Sequence, residues 1–390
     1  MFRSAVITLA CALLALCAGL YLGGHPDSLP DFARDAFVES DRAVQAELID
    51  TIQDNFYKPV SEHKLKESSL KGVVAALHDR FSHYLTPQEA KQFNESVSGQ
   101  FEGIGMTVEQ DKSGLRVLNV FDGSPAKRAG LHKGDLITKV NGRSIAGVSS
   151  DVATGRIKGP AGTSVRLELL TPSTKHRRRL TVTRRRIEVP VARGRVVTRN
   201  GKKIGVVQLL SFSSGAHGLL RRQVQKVQQA GAQGIVLDLR GNGGGLLTEA
   251  VLVSSIFIED GRIVSVRGRH RPERVENAEG KAIAAKLPMV VLVDGGSASA
   301  SEIVTGALRD RHRATIVGTH TFGKGLVQEV EPLSNGGVLD LTVANYYLPG
   351  GKTITPGKGL PPQVRARDNP RTPRDEALPK ALDTLAAKAR

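Results

Sequence analysis

The sequence predicts a multidomain α/β protein with a helical region at its N-terminal side. A chain of 390 residues is long for a single core, so two or three domains are expected. Beyond residue 200, apolar runs typical of buried strands alternate with helical patterns, which indicates an α/β sheet. Between residues 30 and 98 the apolar residues follow helical spacing alone.

Composition limits the classes of partner. The chain has a formal net charge of +17, no tryptophan and few aromatic residues, which argues against the stacking platforms that bind nucleic acid. The charge is densest between residues 175 and 186, where lysine and arginine flank a strand-like segment. This basic block is either a solvated hairpin face or a surface for an anionic partner such as a membrane.

The N-terminal segment predicts export. Arg3 precedes an apolar run over residues 5–22, typical of a signal peptide or a membrane anchor, and small residues before Ala18 allow cleavage there. Cys11 and Cys17, the two cysteines of the chain, lie in this segment, so a mature chain would have no disulfide and no thiol nucleophile. We expect a periplasmic or cell-envelope location.

Three helices are predicted in the N-terminal region. The first carries apolar residues at helical spacing from Val44 to Phe56, and the second spans residues 70–77. The third begins at Thr86, which suits an N-cap because Pro87 follows at the first helical position. No residue of this region suggests chemistry.

The stretch from residue 296 to residue 304 is the first candidate for a catalytic turn. It follows the apolar run of residues 289–293 through a glycine corner, leads into a helix, and carries Ser297, Ser299 and Ser301. Backbone N–H groups at a helix N-terminus have no partners inside the helix, so a serine there has donors beside it for an oxyanion. The alternative is that the serines only cap the helix.

A second candidate lies between residues 318 and 328, after the apolar run of residues 314–317. Lys324 sits there between two glycines and beside apolar residues. Restricted access of water disfavours an ammonium ion, lowers the pKa of a lysine and yields an amine that can accept a serine proton. Gln328 lies four residues on, on the same face if the segment is a strand, and is placed to hold the amine.

Together the two stretches resemble the carboxyl-terminal processing, or tail-specific, peptidases, which are serine proteases with a Ser–Lys dyad. The resemblance rests on Gly-Ser-Ala-Ser-Ala-Ser-Glu-Ile at residues 296–303 and on Thr-Phe-Gly-Lys-Gly-x-Val-Gln at residues 321–328. In that family the middle serine is the nucleophile and lies 25 residues before the lysine, a spacing that Ser299 and Lys324 share. The resemblance implies that Ser299 is the nucleophile, Lys324 the base and Gln328 the third member.

Residues 99–183 resemble a PDZ domain. The pattern consists of a glycine-rich turn that runs into a strand, a short helix from Ser124 and an Asn-Gly hairpin turn at Asn141. Free N–H groups in such a turn hold a C-terminal carboxylate, while the strand edge pairs with an extended peptide. The alternative is a PDZ domain with no peptide role. The resemblance implies that an apolar C-terminal tail binds at Gly103, Ile104, Gly105 and Met106.

A third match follows the apolar run of residues 234–239. Asp-Leu-Arg-Gly-Asn-Gly-Gly-Gly at residues 238–245 matches the Asp-Leu-Arg-x-Asn-x-Gly-Gly turn of the same family. The family implies that the N–H of Gly245, or of its neighbour Gly244, joins that of Ala300 in an oxyanion hole, since glycine lets the backbone approach the substrate carbonyl. The alternative is a plain tight turn before a helix.

Four further polar residues lie in or near the serine and lysine stretches. Glu302 and Thr321 are expected to support the serine turn and the lysine loop. Asp310 stands where some family members have been assigned a relay carboxylate, although a helix-end charge explains it more simply, and His320 is interpreted as a rim residue. Residues 318–324 nearly match a phosphate-binding loop, but a glycine follows where Ser or Thr should bind magnesium. No metal and no cofactor are predicted.

The whole pattern predicts an exported serine endopeptidase that recognises protein substrates by apolar C-terminal tails. The alternative function is a catalytically latent PDZ scaffold at the cell envelope. An adaptor or regulator protein, an anionic membrane surface and a second copy of the chain stay open as partners, and nucleic acid is not expected. The predicted parts are a signal or anchor at 1–24, a helical region at 30–98, a PDZ domain at 99–183, an α/β catalytic core at 184–365 and a basic tail at 366–390.

Overall fold

The computed structural model describes residues 40–60, 65, 70–172, 174–369, 371–372 and 375–388. The predicted signal or anchor segment, with both cysteines, lies outside these residues. Within the described ranges, no helix combines the length and the apolar character that crossing a membrane requires.

The N-terminal helices share a core with residues 184–365, the predicted catalytic region. Val44, Leu48 and Ile52 on the first helix are buried in the same hydrophobic cluster as the central sheet. Thr86 caps the third helix as the sequence predicts, through a reciprocal pair of hydrogen bonds with Glu89. The elements are α1 (Ser40–Asn55), α2 (Leu70–Ala75), β1 (His83–Leu85) and α3 (Pro87–Ser98).

The PDZ region has a hydrophobic core of its own. Its elements are β2 (Gln100–Gly103), β3 (Met106–Asp111), β4 (Gly114–Val120), α4 (Pro125–Arg128), β5 (Leu136–Val140), β6 (Arg143–Ser144), α5 (Ser150–Ile157), β7 (Ser164–Thr171) and β8 (His176–Thr183). Strands β3, β4, β5, β7 and β8 form an antiparallel sheet in that order, and β6 pairs with β5. Strand β2 pairs instead with β9 (Arg185–Glu188). Much of the basic block therefore lies on β8, an edge strand of this sheet.

The catalytic region is built on a six-stranded sheet. Its elements are β10 (Ala192–Arg199), β11 (Lys202–Leu209), α6 (Ala216–Gln229), β12 (Ile235–Asp238), α7 (Leu247–Ser254), β15 (Met289–Val293), α8 (Ala300–Asp310), β16 (Thr315–Gly318), β19 (Val364–Arg365) and α9 (Ala377–Ala386). The strand order is β10-β11-β12-β15-β16-β19, antiparallel at β10 and parallel elsewhere. Parallel strands covered on both faces are continuously apolar, which is why the sequence predicts them clearly.

The last helix, α9, covers one face of this sheet. Leu378, Leu382 and Leu385 of α9 pack on the face of the sheet opposite to α6, α7 and α8. Arg199 of β10 donates to both carboxylate oxygens of Asp383, at 2.6 and 2.8 Å. The basic tail thus contributes a helix to the core of the catalytic region.

A second sheet lies beside the first and joins it to the N-terminal region. Its central strand pairs with β1, β13 and β17, so a strand of the N-terminal region extends the sheet of the catalytic region. The elements are β13 (Arg262–Gly268), β14 (Arg274–Asn277), β17 (Leu326–Pro332) and the central strand β18 (Val338–Tyr347).

Three loops leave the carboxyl ends of β12, β15 and β16. They span residues 239–246, 294–299 and 319–325. Adjacent parallel strands end at the same edge of a sheet, and ligands of open α/β sheets bind outside that edge. The three sequence matches are therefore brought together by the strand order alone.

Candidate active site

Ser299 occupies a strained position at the turn between β15 and α8. Its backbone has φ 53° and ψ −113°, a combination that residues with a side chain rarely adopt. A strained turn from strand to helix is a known way to present a nucleophilic serine. Gly244 packs against this turn, and a Cβ atom on it would lie 2.9 Å from the Ser299 Cβ and 3.0 Å from the Ala300 nitrogen. The close approach of the two loops therefore requires glycine.

The three serines of the turn have different partners. Ser297 and Ser301 each donate their hydroxyl to a main-chain carbonyl of the loop after β12, at 2.8 Å. The Ser299 hydroxyl instead lies near the phenol of Tyr346, close enough to lower the pKa of that phenol. Two serines thus donate their hydroxyls to the backbone, whereas among the described contacts the Ser299 hydroxyl donates to no main-chain carbonyl and instead belongs to the capping box with Glu302.

Tyr346 places a neutral phenol beside the candidate nucleophile. The side chain lies on β18 and is 4% exposed. Burial raises the pKa of Tyr346 to about 12, and the nearby Ser299 side chain acts to lower this pKa. The phenol therefore keeps its proton at neutral pH and can orient the Ser299 hydroxyl.

Glu302 ties the serine turn to the lysine loop. Its side chain is fully buried, and both carboxylate oxygens accept hydrogen bonds. Oε2 accepts from the main-chain N–H groups of Ser299 at 3.0 Å and Lys324 at 2.8 Å. Oε1 accepts from the N–H of Gly323 at 2.9 Å and from the hydroxyl of Thr321. One carboxylate therefore fixes the main chains of Ser299 and Lys324 relative to each other.

Asn242 fixes the glycine-rich loop. Its Nδ2 donates to a carbonyl at the end of β11 at 2.9 Å, and its Oδ1 accepts from the N–H of Gly244 at 2.9 Å. Because the Gly244 N–H is already bonded, Gly245 is the better oxyanion donor of the two. In the described part of the chain, no protein acceptor is bonded to the N–H of Gly245 or of Ala300. Both groups are available to a ligand.

Lys324 is partly buried against the N-terminal region. Its Nζ lies 4.9 Å from the centre of the Phe81 ring. Burial lowers the pKa of Lys324, while the carboxylates of Asp340 and Asp79 act in the opposite direction. Within the described ranges, Lys324 Nζ makes no hydrogen bond to the Ser299 hydroxyl. Catalytic hydrogen bonds are often absent or long in unliganded sites.

The other residues with predicted roles have partners elsewhere. Gln328 donates its Nε2 to Thr342 Oγ1 at 3.2 Å across the β17–β18 pair. The role of Gln328 beside Lys324 stays a prediction; the register between β17 and β18 shifts between Val327 and Gln328, where β18 carries the extra residue Val343. Asp310 forms an ion pair with Arg309 and accepts from a main-chain N–H at 3.0 Å, while His320 is exposed.

Three residues of the site were not singled out from the sequence. Asn242 stands inside the matched glycine-rich turn, and that match could have identified its side chain as a support of the loop. Tyr346 and Asp340 lie on β18 and reach the site only through strand pairing, which gives no local signal.

The residues assigned to tail binding line a cavity of about 270 Å³ between the glycine-rich turn and α5. Phe101, Phe121 and Ile157 supply apolar walls. Lys158 also lines the cavity, and its amine pairs with Glu95 of α3 at 2.6 Å. The cavity combines apolar surface with a cation, which suits a peptide tail that ends in a carboxylate.

Comparison with known proteins agrees with this architecture. Residues 203–366 match the model of peptidase family S41, and residues 92–170 match the PDZ domain model. The chain is 36% identical over 316 residues to the carboxy-terminal processing protease CtpA of Bacillus subtilis (strain 168), a match covering 81% of this chain and 66% of that protein. A probable CtpA-like serine protease of Staphylococcus aureus (strain MRSA252) is 37% identical over 315 residues, covering 80% of this chain and 62% of the relative.

A solved structure extends the likeness over most of the chain. The photosystem II D1 C-terminal processing protease superposes with a TM-score of 0.53 and 29% identity, covering 90% of this chain and 98% of that one. A PDZ domain joined to a parallel sheet with a strained serine turn defines a protein of the PDZ-containing peptidase class. The chain belongs to peptidase family S41, which confirms the predicted family and fold class. It spans just under two thirds of the length of the curated relatives that it matches.

Proposed function

We propose that the protein is an exported serine endopeptidase that cleaves protein substrates recognised by their apolar C-terminal tails. The observation that carries this proposal is the state of Ser299. Its backbone is strained, its hydroxyl donates to no main-chain carbonyl among the described contacts, and Glu302 joins its N–H to that of Lys324. The contact from Glu302 to the Ser299 N–H is half of a capping box, but a serine with only a capping role would need neither the strained backbone nor a carboxylate shared with Lys324.

In the proposed reaction, Ser299 Oγ attacks the carbonyl of the scissile peptide bond while Lys324 takes its proton. The negative charge on the carbonyl oxygen is stabilised by the N–H groups of Ala300 and Gly245, with Gly244 as the less suitable donor. The Lys324 ammonium then protonates the leaving amine, and the neutral lysine activates water to hydrolyse the acyl-enzyme. Lys324 Nζ must lie within hydrogen-bonding reach of Ser299 Oγ for the first step.

The PDZ cavity would hold the substrate tail. Gly103, Ile104, Gly105 and Met106 would pair with the tail, and the free carboxylate would compete with Glu95 for the Lys158 amine. Loss of that ion pair would change the contacts of Glu95 on α3. Tail binding would regulate the enzyme through this change. In the cell, residues 1–24 would direct or anchor the chain at the envelope.

A pair of matched substrates tests this function. We expect the protein to cleave an unfolded reporter that ends in apolar residues, and we expect kcat/KM to fall about 10-fold to 100-fold when the terminal carboxylate is amidated. The reason is that the amide loses the charge-assisted hydrogen bonds of the carboxylate. Rates would be measured with both reporters, which differ only in that group.

A second candidate, a latent PDZ scaffold at the envelope, predicts a different outcome. It would bind the free tail more tightly than the amidated tail and cleave neither reporter. Equal cleavage of the two reporters would instead support the peptidase function and contradict recognition of the tail carboxylate by the PDZ domain.

A further inference from the structure

The Lys324 amine lies beside a segment outside the matched family region. Residues 79–83, between α2 and β1, approach the lysine loop through Phe81, whose ring centre is 4.9 Å from Lys324 Nζ. The Arg80 guanidinium lies over the same ring at 4.6 Å and over the ring of Phe322 at 5.3 Å. The amine is thus bounded on one side by an aromatic ring.

The carboxylates of Asp79 and Asp340 also raise the pKa of this amine, and the two differ in their own hydrogen bonds. Asp79 is engaged locally, since its Oδ1 accepts from the N–H of Phe81 at 3.3 Å and its Oδ2 accepts from the Ser82 hydroxyl at 2.6 Å. Ser82 Oγ in turn accepts from the N–H of Thr342 at 3.1 Å. Asp79 therefore anchors residues 79–83 to β18.

Asp340, in contrast, has an oxygen without a partner. Its Oδ1 is buried and makes no hydrogen bond within the described part of the chain. A buried acceptor left unbonded is destabilising, which indicates that Asp340 has another role at this place. Burial raises the pKa of Asp340 to about 6, Lys324 and His83 act to lower it, and Asp79 acts to raise it. The groups that act on the charge of Asp340 are therefore the Lys324 amine, the His83 imidazole and the Asp79 carboxylate.

Strand pairing places Asp340 on the same sheet face as the Gln328–Thr342 pair. Val330 is opposite Asp340, and Gln328 is opposite Thr342, two residues away on each strand. Gln328 donates its Nε2 to Thr342 on that face. Asp340 is the carboxylate on that face whose Oδ1 remains unbonded.

We propose that Asp340 is a positioning residue for the Lys324 base, whose carboxylate orients the amine and stabilises the ammonium formed when Lys324 takes the Ser299 proton. This inference rests on the function proposed above. The proton moves from Ser299 Oγ to Lys324 Nζ and then to the leaving amine, while Asp340 stays an anion throughout. Its role would be that of a counter-ion, and it would touch neither the substrate nor the reacting atoms.

The proposal predicts a linked change in rate and pH dependence for Asp340→Asn. Loss of the anion destabilises the ammonium, so the acid limb of kcat/KM should move to lower pH, by about 0.5–1 unit. The plateau rate should fall about tenfold with KM little changed, because the lysine becomes a weaker and less oriented base. Asp340→Glu should keep the acid limb near its original position.

Glu331→Gln is the matched control. It removes the same charge from β17, where alternation places its side chain on the opposite face from Gln328 and Val330. We expect it to leave both the acid limb and the plateau unchanged. An acid limb that stays in place in Asp340→Asn, or that moves equally in Glu331→Gln, would overturn the proposal.

A second measurement separates this proposal from the proposed reaction. The pH dependence of reductive methylation of Lys324, read by mass spectrometry in the full chain carrying Ser299→Ala, reports the lysine pKa without any cleavage. Adding Asp340→Asn should lower the midpoint, and an unchanged midpoint would refute the role of Asp340. If the midpoint falls while wild-type protein cleaves no reporter, the counter-ion is supported and the peptidase function fails.

Discussion

Ser299→Ala is expected to lower the rate of reporter cleavage by at least about 10⁴-fold, because it removes the only proposed nucleophile. Serine hydrolases that lose their nucleophile retain a small residual rate from the oxyanion donors and from substrate binding. Tail binding should be unchanged, since the PDZ cavity is lined by other residues. Initial rates and tail affinity would be measured on the same preparations.

Ser301→Ala is the internal control for this prediction. Its hydroxyl donates to the Asn242 carbonyl at 2.8 Å, and that carbonyl also accepts from the N–H of Ala298 at 3.0 Å. We expect a stability loss of about 1 kcal/mol and cleavage within tenfold of wild type. If Ser301→Ala abolished cleavage while Ser299→Ala retained it, the nucleophile would have been assigned to the wrong serine.

Lys324→Ala is expected to lower cleavage by about 10³-fold or more, and Lys324→Arg should be no better. Arginine keeps its proton at every accessible pH and cannot act as the base. In wild type, burial lowers the pKa of Lys324, and the proposed reaction uses the neutral amine. The rate should therefore be highest above the pKa of Lys324 and fall as the pH drops through it.

The pH profile and an exposed lysine provide the checks on this prediction. Lys352→Ala changes an exposed lysine beyond β18 and should leave the profile intact. The residual rate of Lys324→Ala should lose the acid limb seen in wild type. A residual rate that kept the same acid limb would show that another group is the base.

The sequence predicts the local parts of this site better than its long-range contacts. Ser299 and Lys324 lie in turns whose glycines and flanking apolar strands leave a clear pattern, and parallel strand order is enough to bring the turns together. Glu302 is predicted only as a support for the serine turn and the lysine loop. Its actual reach, to three groups of the lysine loop, depends on the fold of both loops.

The contacts made by β18 could not be predicted from the sequence. Tyr346 and Asp340 come to the site by pairing with β17, β13 and β1, and their own neighbours in sequence give no sign of it. The role of Gln328 was inferred from alternation along a strand and from the family resemblance, and the register shift between β17 and β18 at this point leaves no signal in the sequence. The packing of α9 follows from its leucines, but nothing in the tail indicates which face of the sheet they cover.

The most direct test of the proposed reaction is a crystal structure of the full chain with a tail-bearing peptide boronate. A boronate forms a tetrahedral adduct with a nucleophile and so occupies the position of the reaction intermediate. The account predicts a covalent bond from boron to Ser299 Oγ, Lys324 Nζ within about 3 Å of that oxygen, and a boronate oxygen accepting from the N–H groups of Ala300 and Gly245. An adduct on another residue, or a Ser299 adduct with the lysine amine still held at Phe81, would contradict it.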